Sequence, residues 1–106
     1  MKSQSHLSAR IETNVMFMHD GETTFVLTLI PLTAYCPNQA DANKLTKGTA
    51  FSLLISTGQC LTTEDRARIA RIQDGDTMTF ELDGVNVHED FIRIETLVSV
   101  KPSFKF

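Results

Sequence analysis

The sequence predicts an all-β chain with one short helix: a five-stranded, partly open Greek-key barrel with the helix inserted between the third and fourth strands. Three observations carry this. Strand-like runs, most of them with apolar residues at every second position, recur over 8–18, 23–35, 49–56, 77–82 and 91–100. Only 62–72 carries helix signals. Asp-Gly and other glycine steps punctuate the joints between these runs.

The first strand places Ile11, Val15 and Phe17 on one parity, toward the core, and Arg10, Glu12 and Asn14 on the other. Met16 and Met18 interrupt the polar side. Asp20-Gly21, between two strand patterns, fits a type I′ turn and makes an antiparallel hairpin. Residues 23–35 are apolar on both parities, as in a strand covered on both sides, and Pro31 marks a bulge, bend or edge. Residues 36–48 form a long polar loop carrying Lys44 and Lys47. In the third strand Phe51, Leu53 and Ile55 face inward, leaving Leu54 on the other side.

Thr62 can cap a helix, with Asp65 three residues on and two acids in the first turn. Ile69, Ala70 and Ile72 give a narrow apolar stripe suited to plugging a barrel end. Gly75 stops the helix. Met78, Phe80 and Leu82 form the fourth inner stripe, and Ile92, Ile94, Val98 and Val100 the fifth. Residues 85–90 read either as a short returning strand or as connection. Residues 1–7 read as a loose leader, 8–101 as a single domain and 102–106 as a tail.

At 106 residues and 42% hydrophobic content the chain can build one core without metals or disulfides. Its net charge of −3 argues against affinity from generalised attraction to phosphate, so any nucleic-acid site must be local. No apolar run nears the roughly 20 residues that span a bilayer, and the start lacks a signal-like apolar region, so a cytoplasmic protein is expected. Cys36 and Cys60 read as reduced thiols, because the expected strand pairing holds them ~30 Å apart.

A helix between the third and fourth of five strands is the connectivity of the OB-fold, a barrel that binds oligonucleotides and oligosaccharides. Residues 49–100 resemble the second half of bacterial single-stranded-DNA-binding proteins and the related primosomal replication protein. The matching features are a strand ending in small polar residues, a helix, the Gly75-Asp76 step opening the fourth strand and an isoleucine-rich closing strand. The resemblance implies single-stranded nucleic acid as ligand, in replication, recombination or a mobile element's housekeeping. Members of that family stack bases on exposed aromatics. Here Phe17, Phe25, Phe51 and Phe80 all fall on the parity assigned to the core, and the tail ending in Phe106 is basic where the family's is acidic.

The expected nucleic-acid contacts are therefore Arg10, Tyr35, Lys44, Lys47, Phe91 and Arg93. His19, His88, Glu89 and Asp90 lack metal-ligand spacing, neither Cys36 nor Cys60 has a histidine within a few residues, which leaves only a distant pairing open, and no phosphate-binding glycine loop is present, so neither a metal, a cofactor nor an enzyme is expected. Met16, Met18, Val26, Ile30, Leu32 and Leu54 are apolar positions expected on the outside, where exposed apolar patches mark interfaces. They predict a homodimer or higher homo-oligomer, and they support an alternative function: an adaptor or inhibitor that binds a protein through this face.

Overall fold

The computed structural model describes residues 4–32, 50–88 and 91–103. The described residues fold as a strongly curled, open half-barrel of seven strands with one α-helix. The strands are β1 (Gln4–His19), β2 (Glu22–Pro31), β3 (Phe51–Ser56), β4 (Thr77–Asp83), β5 (Asn86–Val87), β6 (Phe91–Arg93) and β7 (Thr96–Pro102), with α1 (Thr63–Ala70) between β3 and β4. The sheet order is β5-β6-β3-β2-β1-β4-β7. All neighbours are antiparallel except β3 and β6, which run parallel.

The count exceeds five for two local reasons. The expected closing strand is divided at Ile94-Glu95, so that β6 pairs with β3 and β7 pairs with β4. The undecided residues 85–90 contain β5, which pairs with β6 through Asn86–Arg93 and Val87–Ile92. Only two residues therefore separate strands near opposite ends of the sheet order, which requires the sheet to curl strongly.

β1 begins at Gln4, so residues 4–7 belong to the sheet and are not part of a leader: they pair with β4, and Leu7 is buried. Beyond Arg10 the strand exchanges partners. Ile11 donates its N–H to the Asp76 carbonyl and accepts from the Gly75 N–H, both at 2.7 Å, so the corner after α1 takes over where β4 ends. At this point the β1–β2 register slips. Ile11 faces Leu29 but Thr13 faces Thr28, leaving Glu12 as the extra residue of a bulge. Its carboxylate accepts from the Arg10 guanidinium at 2.7 Å and 3.0 Å.

That one residue inverts the facing of everything beyond it. Directly opposed residues share a face, so Thr13, Val15 and Phe17 lie with Thr28, Val26 and Thr24 outside, while Met16 lies with buried Phe25 on the inner face. The expectation that Val15 and Phe17 point into the core is overturned: they are 45% and 55% exposed. A second slip repeats the device in β7. Glu81 faces Ser99 and Leu82 faces Leu97, so Val98 is the bulged residue and Leu97, not Val98, enters the core.

The hairpin turn forms as its sequence requires, with φ of 51° at Asp20 and 77° at Gly21. The Thr62 hydroxyl accepts from the Asp65 N–H at 3.1 Å and caps α1. Asp65 is itself buried; one carboxylate oxygen accepts from the Thr62 hydroxyl at 2.9 Å and the other from the Val100 N–H at 3.3 Å, while Arg68 donates to the Val100 carbonyl at 2.8 Å. These bonds strap the helix to β7, and the Arg68–Glu64 pair at 3.4 Å adds an exposed i,i+4 contact. At the helix's other end the Asn14 amide donates to the carbonyls of Ile69 and Ile72 at 3.1 Å and 3.2 Å. The core lies inside the curl, around Leu7, Ile11, Leu27, Leu53, Ile69, Phe80, Leu82, Ile92 and Val100. Among the described residues no helix is long and apolar enough to cross a membrane.

Candidate functional site

The pairing registers build a continuous outer surface across β1, β2, β3 and β6. Val15, Val26, Leu54 and Arg93 form one row, and Thr13, Thr28, Ser52 and Phe91 the next. Phe17, Thr24 and Ser56 form a third row toward the hairpin end, where the Thr24 and Ser56 hydroxyls lie 3.2 Å apart. The centre is thus apolar, with hydroxyls on either side.

Two adjoining depressions cross this surface. One of about 410 Å³ is lined by Thr24, Leu54, Ser56, Gln59, Asn86, Arg93 and Ile94. The other, of about 320 Å³, is lined by Val26, Ser52, Leu54, Phe91 and Arg93. Leu54 and Arg93 belong to both, so the two form one groove. Its floor is rigid because Gln59 is held at both ends, accepting from the Ser56 N–H at 2.9 Å and donating to the Ile94 carbonyl at 2.7 Å.

One wall is an aromatic stack. The His88 imidazole lies against the Phe91 ring with centroids 4.4 Å apart and planes 11° from parallel. The Arg93 guanidinium sits 5.8 Å from the same ring's centroid, within cation–π range. The fold makes this cluster: β5 and β6 pair, and the His88 N–H donates to the Phe91 carbonyl at 2.8 Å, which holds His88 beside Phe91. His88 and Arg93 are exposed, Phe91 half-buried. Among the described residues Arg93 makes no ion pair.

The expected contacts are therefore partly gathered. Phe91 and Arg93 meet in the groove. Arg10 lies on the same sheet face, toward its opposite end, and is neutralised by Glu12. Tyr35, Lys44 and Lys47 lie outside the described residues. Of the interface set, Val26, Ile30 and Leu54 share the outer face and Leu32 continues that parity, all four half-buried. Met16 and Met18 are separated from them by the Glu12 bulge and lie on the opposite face, 57% and 73% exposed. Val15, Phe17 and His88 are the site residues that sequence reading missed. The run Glu12-Thr13-Asn14, three polar residues where alternation allows one, was the available signal for the bulge; His88 reaches the site only through the β5–β6 pairing.

Other groups are occupied structurally. Cys60 is buried, and that burial pushes its thiol above the ordinary value of 9.0, partly offset by nearby Arg66 and reinforced by Asp65. A protonated, enclosed thiol is a poor nucleophile. His19 lies 3.2 Å from Asp20 at the exposed hairpin tip. Among the described residues no group of three or more His, Cys, Asp or Glu is placed to hold a metal ion. A third depression, of about 380 Å³ beside Arg68, Arg71, Asp76 and Pro102, includes Arg68, whose guanidinium is already committed to Val100 and Glu64.

Comparison with protein-family models, curated proteins and solved structures finds no match.

Proposed function

We propose that this chain is a non-catalytic OB-type domain that binds single-stranded nucleic acid across the outer face of β2, β3 and β6. The pairing pattern supports the fold assignment. β1 pairs with both β2 and β4, β3 runs parallel to the closing segment, and the helix joins β3 to β4, a pattern in keeping with OB connectivity whose last strand is broken in two. In that fold the face of the second and third strands, with the loops after the first and fourth, is where oligonucleotides lie.

The observation that carries the reading is the His88–Phe91–Arg93 cluster at the edge of the groove. Imidazole rings and guanidinium planes are surfaces on which unstacked bases settle, and exposed Phe17 supplies a second aromatic surface across the sheet. Fluorescence anisotropy with a labelled, unstructured oligonucleotide tests it. Saturable binding at low salt that weakens in Arg93→Ala supports the reading; no binding at low salt refutes it, because backbone contacts strengthen as salt falls.

A second reading is favoured by the hairpin end. Val15, Met16, Phe17 and Met18 are all substantially exposed, on both faces of the same hairpin. Such a patch suits a protein partner, which would make the domain an adaptor or inhibitor. Loss of a protein partner on Met18→Glu, with oligonucleotide binding absent in the wild type, would favour this reading.

A further inference from the structure

We propose that the groove holds a single strand by its bases and is nearly indifferent to the charge of the ligand's backbone, an inference that rests on the nucleic-acid reading above. The charges on the outer face carry it. Along the path from Phe17 through Thr24, Val26, Leu54 and Ser56 to Arg93, Phe91 and His88, the one permanent cation is Arg93. Arg10 lies outside the groove and is paired with Glu12 at 2.7 Å. At the Phe17 end the parity of β2 continues to a carboxylate, Glu22. Among the described residues of this face the formal charge of the groove and its hairpin end is thus close to zero, whereas a site built on phosphates would be markedly basic.

The other contacts are of the kinds that bases use. Two aromatic surfaces stand at opposite corners, three strand spacings of ~4.8 Å and four residues of ~3.3 Å apart, a diagonal of about 20 Å. That suits a short site, at the low end of the ~4–16 nucleotides that OB barrels occupy. Between the corners lie an apolar strip, Val26 and Leu54, and hydroxyls from Thr24, Thr28, Ser52 and Ser56, with the Asn86 amide at the margin. These groups contact the faces and edges of bases. Among the described residues of this face, Arg93 alone can neutralise a phosphate.

The consequence is a shallow salt dependence. With one phosphate neutralised, the slope of log K against log salt is about −0.7, so a rise from ~50 to ~200 mM salt weakens binding about threefold. Several phosphate contacts would weaken it by orders of magnitude over the same range. The experiment titrates a labelled oligothymidylate and its uncharged peptide-nucleic-acid counterpart against the full chain at both salts. Both binding within about fivefold of one another, with the shallow slope for the DNA, is the expected result. His88→Ala or Phe17→Ser should weaken both ligands about tenfold, as loss of one stacking surface does; Arg93→Gln should flatten the remaining slope for DNA and, at low salt, weaken DNA more than it weakens the uncharged ligand. A slope of several units, or DNA bound while the uncharged strand is not, overturns this inference and leaves the nucleic-acid reading standing, with phosphate contacts supplied from elsewhere on the chain. Neither ligand bound at low salt overturns both.

Discussion

Phe17 and Phe25 lie on the two strands of the hairpin one register step apart, and the bulge at Glu12 assigns them opposite faces. Phe17 opposes Thr24 and is 55% exposed; Phe25 opposes Met16 and is 4% exposed. Replacing each with aspartate turns that difference into a measurement. For Phe17, a little under half of a ~200 Å² side chain is covered, ~90 Å², worth about 2 kcal/mol at ~25 cal per Å². This is an upper limit, because the unfolded chain also covers part of that surface. For Phe25, aromatic truncation costs ~3–5 kcal/mol and a carboxylate confined to the core adds several more, against a total stability of ~5–15 kcal/mol for a domain. Phe17→Asp should fold, with a urea midpoint lowered by no more than about 2 kcal/mol divided by the m-value, and Phe25→Asp should not fold. Circular dichroism during urea titration reads both. A Phe17→Asp chain as unfolded as Phe25→Asp would refute the bulge and restore strict alternation along β1, and with it the loss of one stacking surface.

Gly84→Ala should destabilise by about 1–3 kcal/mol, seen as a lowered melting temperature, because φ there is +66° and an added Cβ would run into the Glu95 side chain. An unchanged melting temperature would refute the tight approach of the β4 end to Glu95. In a Cys36→Ser background, Cys60 should resist alkylation in the native state and react on unfolding. Since burial raises its folded thiol pKa above the ordinary 9.0, its stabilising contribution is complete below pH ~9 and is lost as pH rises further toward the folded value. Urea midpoints measured from pH 8 upward in Cys60 and Cys60→Ala chains check the sign; a Cys60 chain gaining stability relative to Cys60→Ala with rising pH would refute it.

The elements visible in the sequence are those that local chemistry decides. Asp20-Gly21 makes its turn because both positions need positive φ, Thr62 caps α1, and Phe51, Leu53 and Ile55 enter the core by plain alternation. Alternation failed where the backbone inserts a residue. Glu12 shifts the parity of the residues beyond it, so a stripe counted straight through it comes out on the wrong face, while in the closing strand the bulge displaces Val98 alone: Leu97 takes its place and Ile92, Ile94 and Val100 are buried as expected. Leu7 was hidden by a polar leader, yet Leu7, Ala9 and Ile11 alternate without a break once β4 is there to pair with them. The candidate site was half visible for the same reason. Phe91 and Arg93 share a parity within one strand, whereas Phe17 needed the bulge and His88 the β5–β6 pairing.

The same inversion bears on self-association. The apolar set expected to form one dimer face is divided: Val26, Ile30, Leu32 and Leu54 are half-buried on the groove side, and Met16 and Met18 lie on the other face of the hairpin. A partner copy seated on Val26 and Leu54 would fill the groove and exclude a ligand. The Met16 and Met18 side of the hairpin end is free of that conflict, whereas Val15 and Phe17 share the ligand's face; together the four expose on the order of 400 Å², the size of the largest apolar patch on an ordinary monomer. It is also about half of the ~800 Å² per partner that a stable complex covers, so contact through this end alone gives weak, concentration-dependent association. Sedimentation velocity over a concentration series should show the wild-type chain associating, Met18→Glu remaining monomeric and Ile30→Glu associating as the wild type does. Loss of association in Ile30→Glu but not in Met18→Glu would move the interface to the groove face, and oligonucleotide should then compete with self-association. A wild-type chain that is monomeric throughout the series removes self-association and leaves the hairpin end to the ligand or to a different protein.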